Sequence, residues 1–354
     1  NTQRLITWPW MFKPVAKVML HGIGTRRIPK VNPRDIILHT ALTNRYEKYF
    51  TEIINKSRQE LNELERVLNS FNVTTHRSVQ TYPIYNGKTI NTPPLAVRDI
   101  FTVYGDSLFK GNFAFEWNKD VPASCDHALE KIKFSNTVNL PTDNLFFDGD
   151  FSKFDPDKDL PRPMFHPTMA LRIGNDIVIA KTYEQQGNKL GKDQYVNWIN
   201  SVNPNAKFHI IDTEGHIDSQ IFLVRPGLLL TSLTANKLPS FFDSWEKIYI
   251  ESVTSQLLHK KNQHRHKKFH PVIAQWFHNF LETCTEETYF NLNSLSINEE
   301  TVLFTGTHPK LFSQLEKKGI TCIAVSMKAT TFWDTGIHCS TNELERHGEL
   351  ENYA

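Results

Sequence analysis

The stretch MALRIGNDIVIAK, residues 169–181, holds two short apolar runs separated by the tight polar turn GND. Two apolar runs joined by a glycine-containing polar turn are typical of a β-hairpin. The same pattern recurs in DIFTVYGDSLFKG (99–111), SQIFLVRPGLLLTS (219–232) and LNSLSINEETVLFTG (292–306), and more loosely in the pair AKVMLHG (16–22) and RDIILHT (34–40). The sequence therefore predicts a fold built from repeated hairpins.

Helical periodicity follows several of these hairpins. A long amphipathic segment covers 45–71, and shorter ones at 193–202 and 308–319 are each followed by an apolar run. The repeated unit is thus hairpin, helix and strand, which predicts an α/β fold. We expect residues 1–354 to form a single domain of about five similar modules, with a plain α/β fold rich in hairpins as the alternative.

Two segments interrupt this pattern and are predicted to be loops inserted into the domain. Residues 142–168 are acidic and rich in proline, and residues 258–271 are basic and rich in histidine. The histidines of the second segment are His259, His264, His266 and His270. A flexible basic loop is favoured over a zinc site because zinc requires ligands fixed at tetrahedral spacing, so no metal is expected.

The overall charge excludes several function classes. The 354 residues carry 40 basic and 38 acidic side chains, a formal charge of +2, which argues against nucleic-acid and membrane-surface partners. No apolar run approaches the roughly 18 residues of a membrane span. Four widely spaced cysteines without a C-x-x-C pair indicate reduced thiols, and we expect a cytoplasmic location.

The stretch DTGIHCST (334–341) places Cys339 beside His338 among small polar residues. Such surroundings are typical of a reactive thiol held as its thiolate, with a buried cysteine in a strand as the alternative. Adjacent residues on a strand point to opposite sides. His338 is therefore expected to orient the loop rather than to lower the pKa of the thiol.

A second candidate stretch is EGHIDSQ (214–220), in which His216 and Asp218 alternate on one side of an extended segment. A histidine with a carboxylate on the same face suits general acid–base chemistry on a cationic substrate. The pair Arg98-Asp99 opens the hairpin at 99–111, where a local salt bridge is the simplest interpretation.

The chain resembles the guanidine-modifying enzymes, most closely the amidinotransferases of the arginine:glycine type. Segments that match in order and spacing are AVRDIFTVYGDSLF, MFHPTMALRIGNDI, FHIID, GHIDSQIFLVRPGLLL, LFSQLEKKGITCIAV and GIHCSTNELER. The resemblance extends over most of the chain. It implies a pentein fold, an α/β propeller of five ββαβ modules around a pseudo-fivefold axis.

The resemblance also assigns roles to individual residues. It implies that Cys339 is the nucleophile, that His216 is the catalytic histidine, and that Asp218 and Asp99 bind the guanidinium group. Lys237 falls near the position where the family binds a substrate carboxylate.

The chain departs from the family at a catalytic aspartate before the third hairpin, where His166 stands. Asp148 or Asp150, in the preceding stretch FFDGDF, is expected to supply this carboxylate, and Asp148 is favoured because a guanidinium in a closed cleft needs neutralising charge. A solvated acidic loop is the alternative interpretation of this stretch.

The resemblance implies that an amidino group moves from arginine to an amine through an amidino-cysteine, with release of ornithine. It implies small-molecule partners, no metal or organic cofactor, and a homodimer as in many family members. Hydrolysis of the same intermediate, by a deiminase or amidinohydrolase, is the main alternative. A non-catalytic binding module with a vestigial site is the second.

Overall fold

A computed structural model describes residues 47–78, 84–85, 88–89, 96–112, 121–141, 163–181, 186–213, 216–250, 292–330 and 335–346. The helices of this part are α1 (Glu47–Ser70), α2 (Asp126–Leu129), α3 (Gln186–Val202), α4 (Pro309–Glu316) and α5 (Ile337–Ser340). The strands are β1 (Ile84–Tyr85), β2 (Lys88–Thr89), β3 (Phe101–Tyr104), β4 (Ser107–Lys110), β5 (Asn136–Asn139), β6 (Ala170–Ile173), β7 (Asp176–Ala180), β8 (Lys207–Ile211), β9 (Ile221–Arg225), β10 (Leu228–Thr231), β11 (Glu246–Tyr249), β12 (Leu295–Asn298), β13 (Thr301–Thr305) and β14 (Thr321–Val325).

One sheet pattern occurs four times in the described residues. An antiparallel hairpin is extended by a third strand that lies parallel to the second strand of the hairpin. The four sheets are β3-β4-β5, β6-β7-β8, β9-β10-β11 and β12-β13-β14. The predicted α/β class with repeated small sheets is confirmed, while the looser hairpin expected at 16–22 and 34–40 lies outside the described residues.

Glycine forms the turns of three hairpins because each needs a backbone conformation with positive φ. The φ angles of Gly105, Gly174 and Gly227 are 63°, 59° and 78°. The turn of the fourth hairpin is instead stabilised by a side chain, since Asn298 accepts a hydrogen bond from the backbone N–H of Glu300 at 2.9 Å.

In three of the four sheets, the middle strand is the most buried. All residues of β7, β10 and β13 are buried, since each has a strand on either side. The first strands β3, β6, β9 and β12 instead contribute side chains to a shared central cavity. The chain enters three of these strands through 3₁₀ turns at Val97–Asp99, Pro167–Met169 and Ile217–Ser219, which contact one another. Side chains on those turns therefore gather at the centre.

The inserted segments are only partly described. Residues 142–162 and 258–271 lie outside the described residues, whereas 163–168, assigned from the sequence to the first loop, include the start of a 3₁₀ turn at Pro167. Within the described ranges, no helix is long and apolar enough to cross a bilayer.

Helix α3 packs on β4 and on the segment that precedes the turn Pro167–Met169. The indole nitrogen of Trp198 donates a hydrogen bond to the Ser107 hydroxyl at 2.7 Å, and Tyr195 stacks on Phe165 with ring centroids 4.4 Å apart. A Cβ atom at Gly191 would lie 1.9 Å from the carbonyl oxygen of Met164. The helix backbone can reach this position only because residue 191 has no side chain.

We expect Gly191→Ala to lower the free energy of unfolding by about 2 kcal/mol or more, through overpacking against the Met164 backbone. Alanine would otherwise stabilise a helix interior by about 1 kcal/mol relative to glycine. Urea unfolding measures the change. The exposed helix position Asn197→Ala is the control and should change stability by less than about 0.5 kcal/mol. Equal stability of both variants would contradict the packing described here.

Candidate functional site

The stretch around Cys339 forms the short helix α5, so the expectation of a strand is wrong. Neighbouring residues on a helical turn can approach the same group, whereas on a strand they point apart. Asp218 Oδ2 accepts hydrogen bonds from His338 Nδ1 at 2.8 Å and from Cys339 Sγ at 3.4 Å. One carboxylate oxygen thus joins the imidazole and the thiol.

His216 and Asp218 lie on a 3₁₀ turn rather than on an extended segment, because His216 caps the turn Ile217–Ser219. The two side chains consequently have different partners. Asp218 bonds to His338, whereas His216 Nδ1 lies 3.8 Å from Asp99 Oδ1. The His216 side chain remains 35% exposed, which leaves its ring accessible to solvent.

Arg98 does not form the local salt bridge with Asp99 that the sequence suggested. Its guanidinium pairs with Glu343, whose side chain is almost fully buried, and its Nε donates to the carbonyl oxygen of His338 at 3.3 Å. Arg98 therefore fixes the backbone of α5 beside Asp218. Sequence reasoning missed Glu343, and its only signal was a carboxylate four residues after the cysteine.

The side chain of Asn293, just before β12, is a second partner that sequence reasoning missed. Asn293 Nδ2 lies 2.8 Å from Cys339 Sγ, and Asn293 Oδ1 accepts from the backbone N–H of Cys339 at 3.1 Å. A buried asparagine at the start of an apolar hairpin was the available signal.

The pKa values of Asp218 and Asp99 shift in opposite directions. Burial opposes ionisation of Asp218, but the hydrogen bond and positive charge of His338 outweigh it and lower the pKa of Asp218 to about 2. For Asp99, burial dominates and raises the pKa above its ordinary value, although interaction with His216 reduces the rise. Asp218 is therefore the anchored charge, and Asp99 is the carboxylate that lacks a strong partner.

The pKa of Cys339 is raised well above its ordinary value, first by burial and then by the negative charges of Asp218 and Asp99. The expectation of a resting thiolate is therefore wrong. The sequence context showed small polar neighbours, but the fold places the sulfur among carboxylates, and a cation is needed to offset them.

Two carboxylate oxygens near Cys339 have no hydrogen-bond partner among the described residues. Asp99 Oδ1 and Asp218 Oδ1 are buried and accept no hydrogen bond from the residues that the structure describes. A buried oxygen without a donor costs about 1–3 kcal/mol, so such atoms point to a ligand that donates. A planar cation with several N–H groups matches two carboxylates on neighbouring turns.

The cavity between the first strands has a volume of about 80 Å³. Six charged or titratable side chains line it, namely Arg98, Arg172, Tyr195, Asp218, His338 and Glu343. Within the described ranges, no group of three or more histidine, cysteine, aspartate or glutamate side chains is placed to hold a metal ion.

The remaining predicted site residues are placed as follows. His166 is half-buried and precedes the 3₁₀ turn Pro167–Met169, which contacts the turns carrying Asp99 and Asp218. Lys237 is exposed on the turn Ala235–Lys237 and does not line the central cavity. Asp148 and Asp150 lie outside the described residues.

Comparison with curated proteins gives relatives named amidinotransferases, while no protein-family model matches the chain. Inosamine-phosphate amidinotransferase 1 of Streptomyces glaucescens is 24% identical over 54% of this chain and 49% of its own length. The chain thus spans about half of that relative. Mitochondrial glycine amidinotransferase of Xenopus tropicalis is 23% identical, over 88% of this chain and 77% of its own length.

Solved structures share the fold. The inosamine-phosphate amidinotransferase of Streptomyces griseus superposes with a TM-score of 0.67 at 18% identity, covering 100% of this chain and 98% of its own. A dimethylarginine dimethylaminohydrolase of Pseudomonas aeruginosa has a TM-score of 0.54 at 11% identity, with coverages of 82% and 89%. The resemblance to guanidine-modifying enzymes of the amidinotransferase type, predicted from the sequence, is confirmed.

The substitutions Asp218→Asn and Asp99→Asn should change the free energy of unfolding in opposite directions. A carboxyl with a pKa of about 2 folded and 3.8 unfolded stabilises the fold above pH 3.8 and loses this effect as the pH falls toward 2. Asp218→Asn should therefore lower the free energy of unfolding at pH 7 by about 2 kcal/mol. Asp99→Asn should raise it, because a raised folded pKa makes the ionised form destabilising at pH 7.

Urea unfolding at pH 7 and pH 3 measures both effects, with the exposed Asp243→Asn as control. The loss caused by Asp218→Asn should be smaller at pH 3, because this pH lies below the unfolded pKa of 3.8 and protonation of the unfolded chain already removes part of the stabilisation. A decrease in stability for both variants at pH 7 would contradict the conclusion that burial dominates the pKa shift of Asp99.

Proposed function

We propose that this chain, which resembles the amidinotransferases in sequence and shares the fold of the guanidine-modifying enzymes, transfers an amidino group from arginine to an acceptor amine. The observation that carries the proposal is the pair of orphaned oxygens, Asp99 Oδ1 and Asp218 Oδ1, beside the thiol of Cys339. A guanidinium group would donate to both oxygens and present its central carbon to the sulfur.

Binding of the guanidinium cation would also activate the nucleophile. In the free protein the carboxylates of Asp99 and Asp218 raise the pKa of Cys339, so the thiol keeps its proton. A bound cation offsets those charges, and the proton moves from the thiol to the His216 imidazole. The reactive ion pair then forms only when substrate is present.

The reaction then proceeds in two balanced halves. The thiolate of Cys339 adds to the guanidinium carbon, and protonated His216 gives its proton to the departing amine, which leaves as ornithine when arginine is the donor. The cationic amidino-cysteine that remains is attacked by an incoming amine. Neutral His216 accepts the proton of that amine as the carbon–sulfur bond breaks, which restores the thiolate and the imidazolium.

The proposal also includes a further carboxylate that binds the guanidinium and the chemical class of the acceptor amine. Asp148 or Asp150, in the acidic loop, would supply another charge for the guanidinium, with His166 beside the cleft. Relatives are named for glycine, lysine and inosamine phosphate, so the acceptor is proposed to be a small primary amine. A single domain over residues 1–354 and a homodimeric assembly also remain predictions.

Hydrolysis of the amidino-cysteine is the second candidate, favoured by the fold shared with dimethylarginine dimethylaminohydrolase and arginine dihydrolase. Water attacking the amidino-cysteine would release urea. Citrulline would form instead if ammonia, not ornithine, left in the first step and water then attacked the substituted amidino-cysteine. The transferase reading has the better support because the sequence relatives described above are named amidinotransferases and one of them aligns with 88% of this chain.

The proposed reaction predicts that arginine with glycine, lysine or an amino-inositol phosphate yields ornithine and a guanidino product. Cys339→Ala should reduce turnover by at least about 10⁴-fold, because the nucleophile is lost. Mass spectrometry of products and of the amidino adduct on the Cys339 peptide measures this. Cys322→Ala, half-buried in β14, is the matched control and should retain activity. Urea or citrulline in place of a guanidino product would favour hydrolysis, and product formation unchanged by Cys339→Ala would refute both.

Activation by the substrate predicts a thiol that is neutral at pH 7.5 in the free protein. The ultraviolet absorbance of the thiolate, taken as the difference between the parent and Cys339→Ala, should be near zero at this pH and rise only above pH 9, since the thiol pKa is raised. Saturating guanidinium chloride at non-denaturing concentration should increase it. Sodium chloride at equal ionic strength is the control, and a full thiolate signal without any cation would contradict the proposal.

A further inference from the structure

Both polar atoms of the Asn293 side-chain amide contact Cys339. The side chain is 5% exposed, with Nδ2 2.8 Å from Cys339 Sγ and Oδ1 3.1 Å from the backbone nitrogen of Cys339. A backbone N–H can only donate, so the amide oxygen must face it and the NH₂ group must face the sulfur. The amide orientation is thereby fixed by the geometry, and a hydrogen-bond donor points at the reacting atom.

The surrounding residues are built to hold this amide. A Cβ atom at Gly336 would lie 2.5 Å from Asn293 Oδ1, while the φ of Gly336 is −102°, a conformation open to any residue. Glycine is needed there for space alone. Thr305 Oγ1 donates to the Asn293 carbonyl at 2.9 Å and accepts from the Ile337 N–H at 3.0 Å, which ties the start of β12 to α5.

The charges around the sulfur make this donor important. Asp218 and Asp99 contribute negative charge, and among the described residues Sγ forms hydrogen bonds with Asp218 Oδ2 and the Asn293 amide. The imidazoles of His338 and His216 face the carboxylates instead. Of these hydrogen-bond partners of the sulfur, the Asn293 N–H donor is the one that favours its anion.

We propose that Asn293 is a catalytic residue that stabilises the Cys339 thiolate and fixes its direction of attack, in a space kept open by Gly336. This inference rests on the proposed function in so far as the thiolate is what attacks the guanidinium carbon. It assigns to β12 a part in the chemistry that neither the sequence motifs nor the carboxylate pair supply.

The test is the pH dependence of Cys339 alkylation by iodoacetamide in the full chain without arginine, followed by mass spectrometry of the Cys339 peptide. Asn293→Ser shortens the side chain, withdraws the amide NH₂ from the sulfur and should raise the alkylation midpoint by at least about one pH unit. Gly336→Ala keeps the amide but displaces it, and should raise the midpoint in the same direction. Circular dichroism and thermal unfolding establish that each variant is folded.

Asn203→Ser is the matched control, because Asn203 is a buried amide that donates to Tyr104 and Asn175 instead of sulfur. Its midpoint should stay that of the parent. Folded Asn293→Ser or Gly336→Ala protein with the parent midpoint would overturn the inference. Since no substrate is used, absence of amidino products in the parent would count against the proposed function alone, while a midpoint unmoved by these substitutions would count against Asn293 alone.

Discussion

The hydrogen bond between Asp218 and His338 is the interaction on which the rest of the site depends. A carboxylate that is only 5% exposed would normally be neutral, because burying an unpaired charge is costly. The 2.8 Å contact with His338 keeps it ionised, with a pKa of about 2. That one retained charge selects a cationic ligand, raises the pKa of the neighbouring thiol, and places α5 against the turn Ile217–Ser219.

The repeated sheets explain how such a site can form at all. Each module brings its first strand to the centre, so the turns preceding β3, β6 and β9 meet there. The turns differ in sequence: Asp99 lies on one and Asp218 on another, while His166 precedes the third. The modules share a scaffold, and the chemistry arises because their turns differ in sequence.

Local patterns in the sequence were sufficient for the hairpins and the α/β class, since turn glycines and apolar runs act over a few positions. The roles of Cys339, His216, Asp218 and Asp99 stay predictions. Local patterns were not sufficient for α5, because four residues are too few to show helical periodicity. The strand β5 was not predicted because most of its residues are exposed and lack apolar alternation. The partners Asn293 and Glu343 could not be paired with Cys339 and Arg98 from sequence alone, because these contacts are made by the tertiary fold.

The ion pair between Arg98 and Glu343 joins residues 245 positions apart, and within that span the contact between Asn293 and Cys339 joins residues 46 positions apart. Closing such long loops is slow, because chain entropy must be lost before any contact compensates for it. We therefore expect the sheets to form before the cleft acquires its charge pattern. Partly folded chains would then hold intact sheets but lack the paired carboxylates that bind a cation.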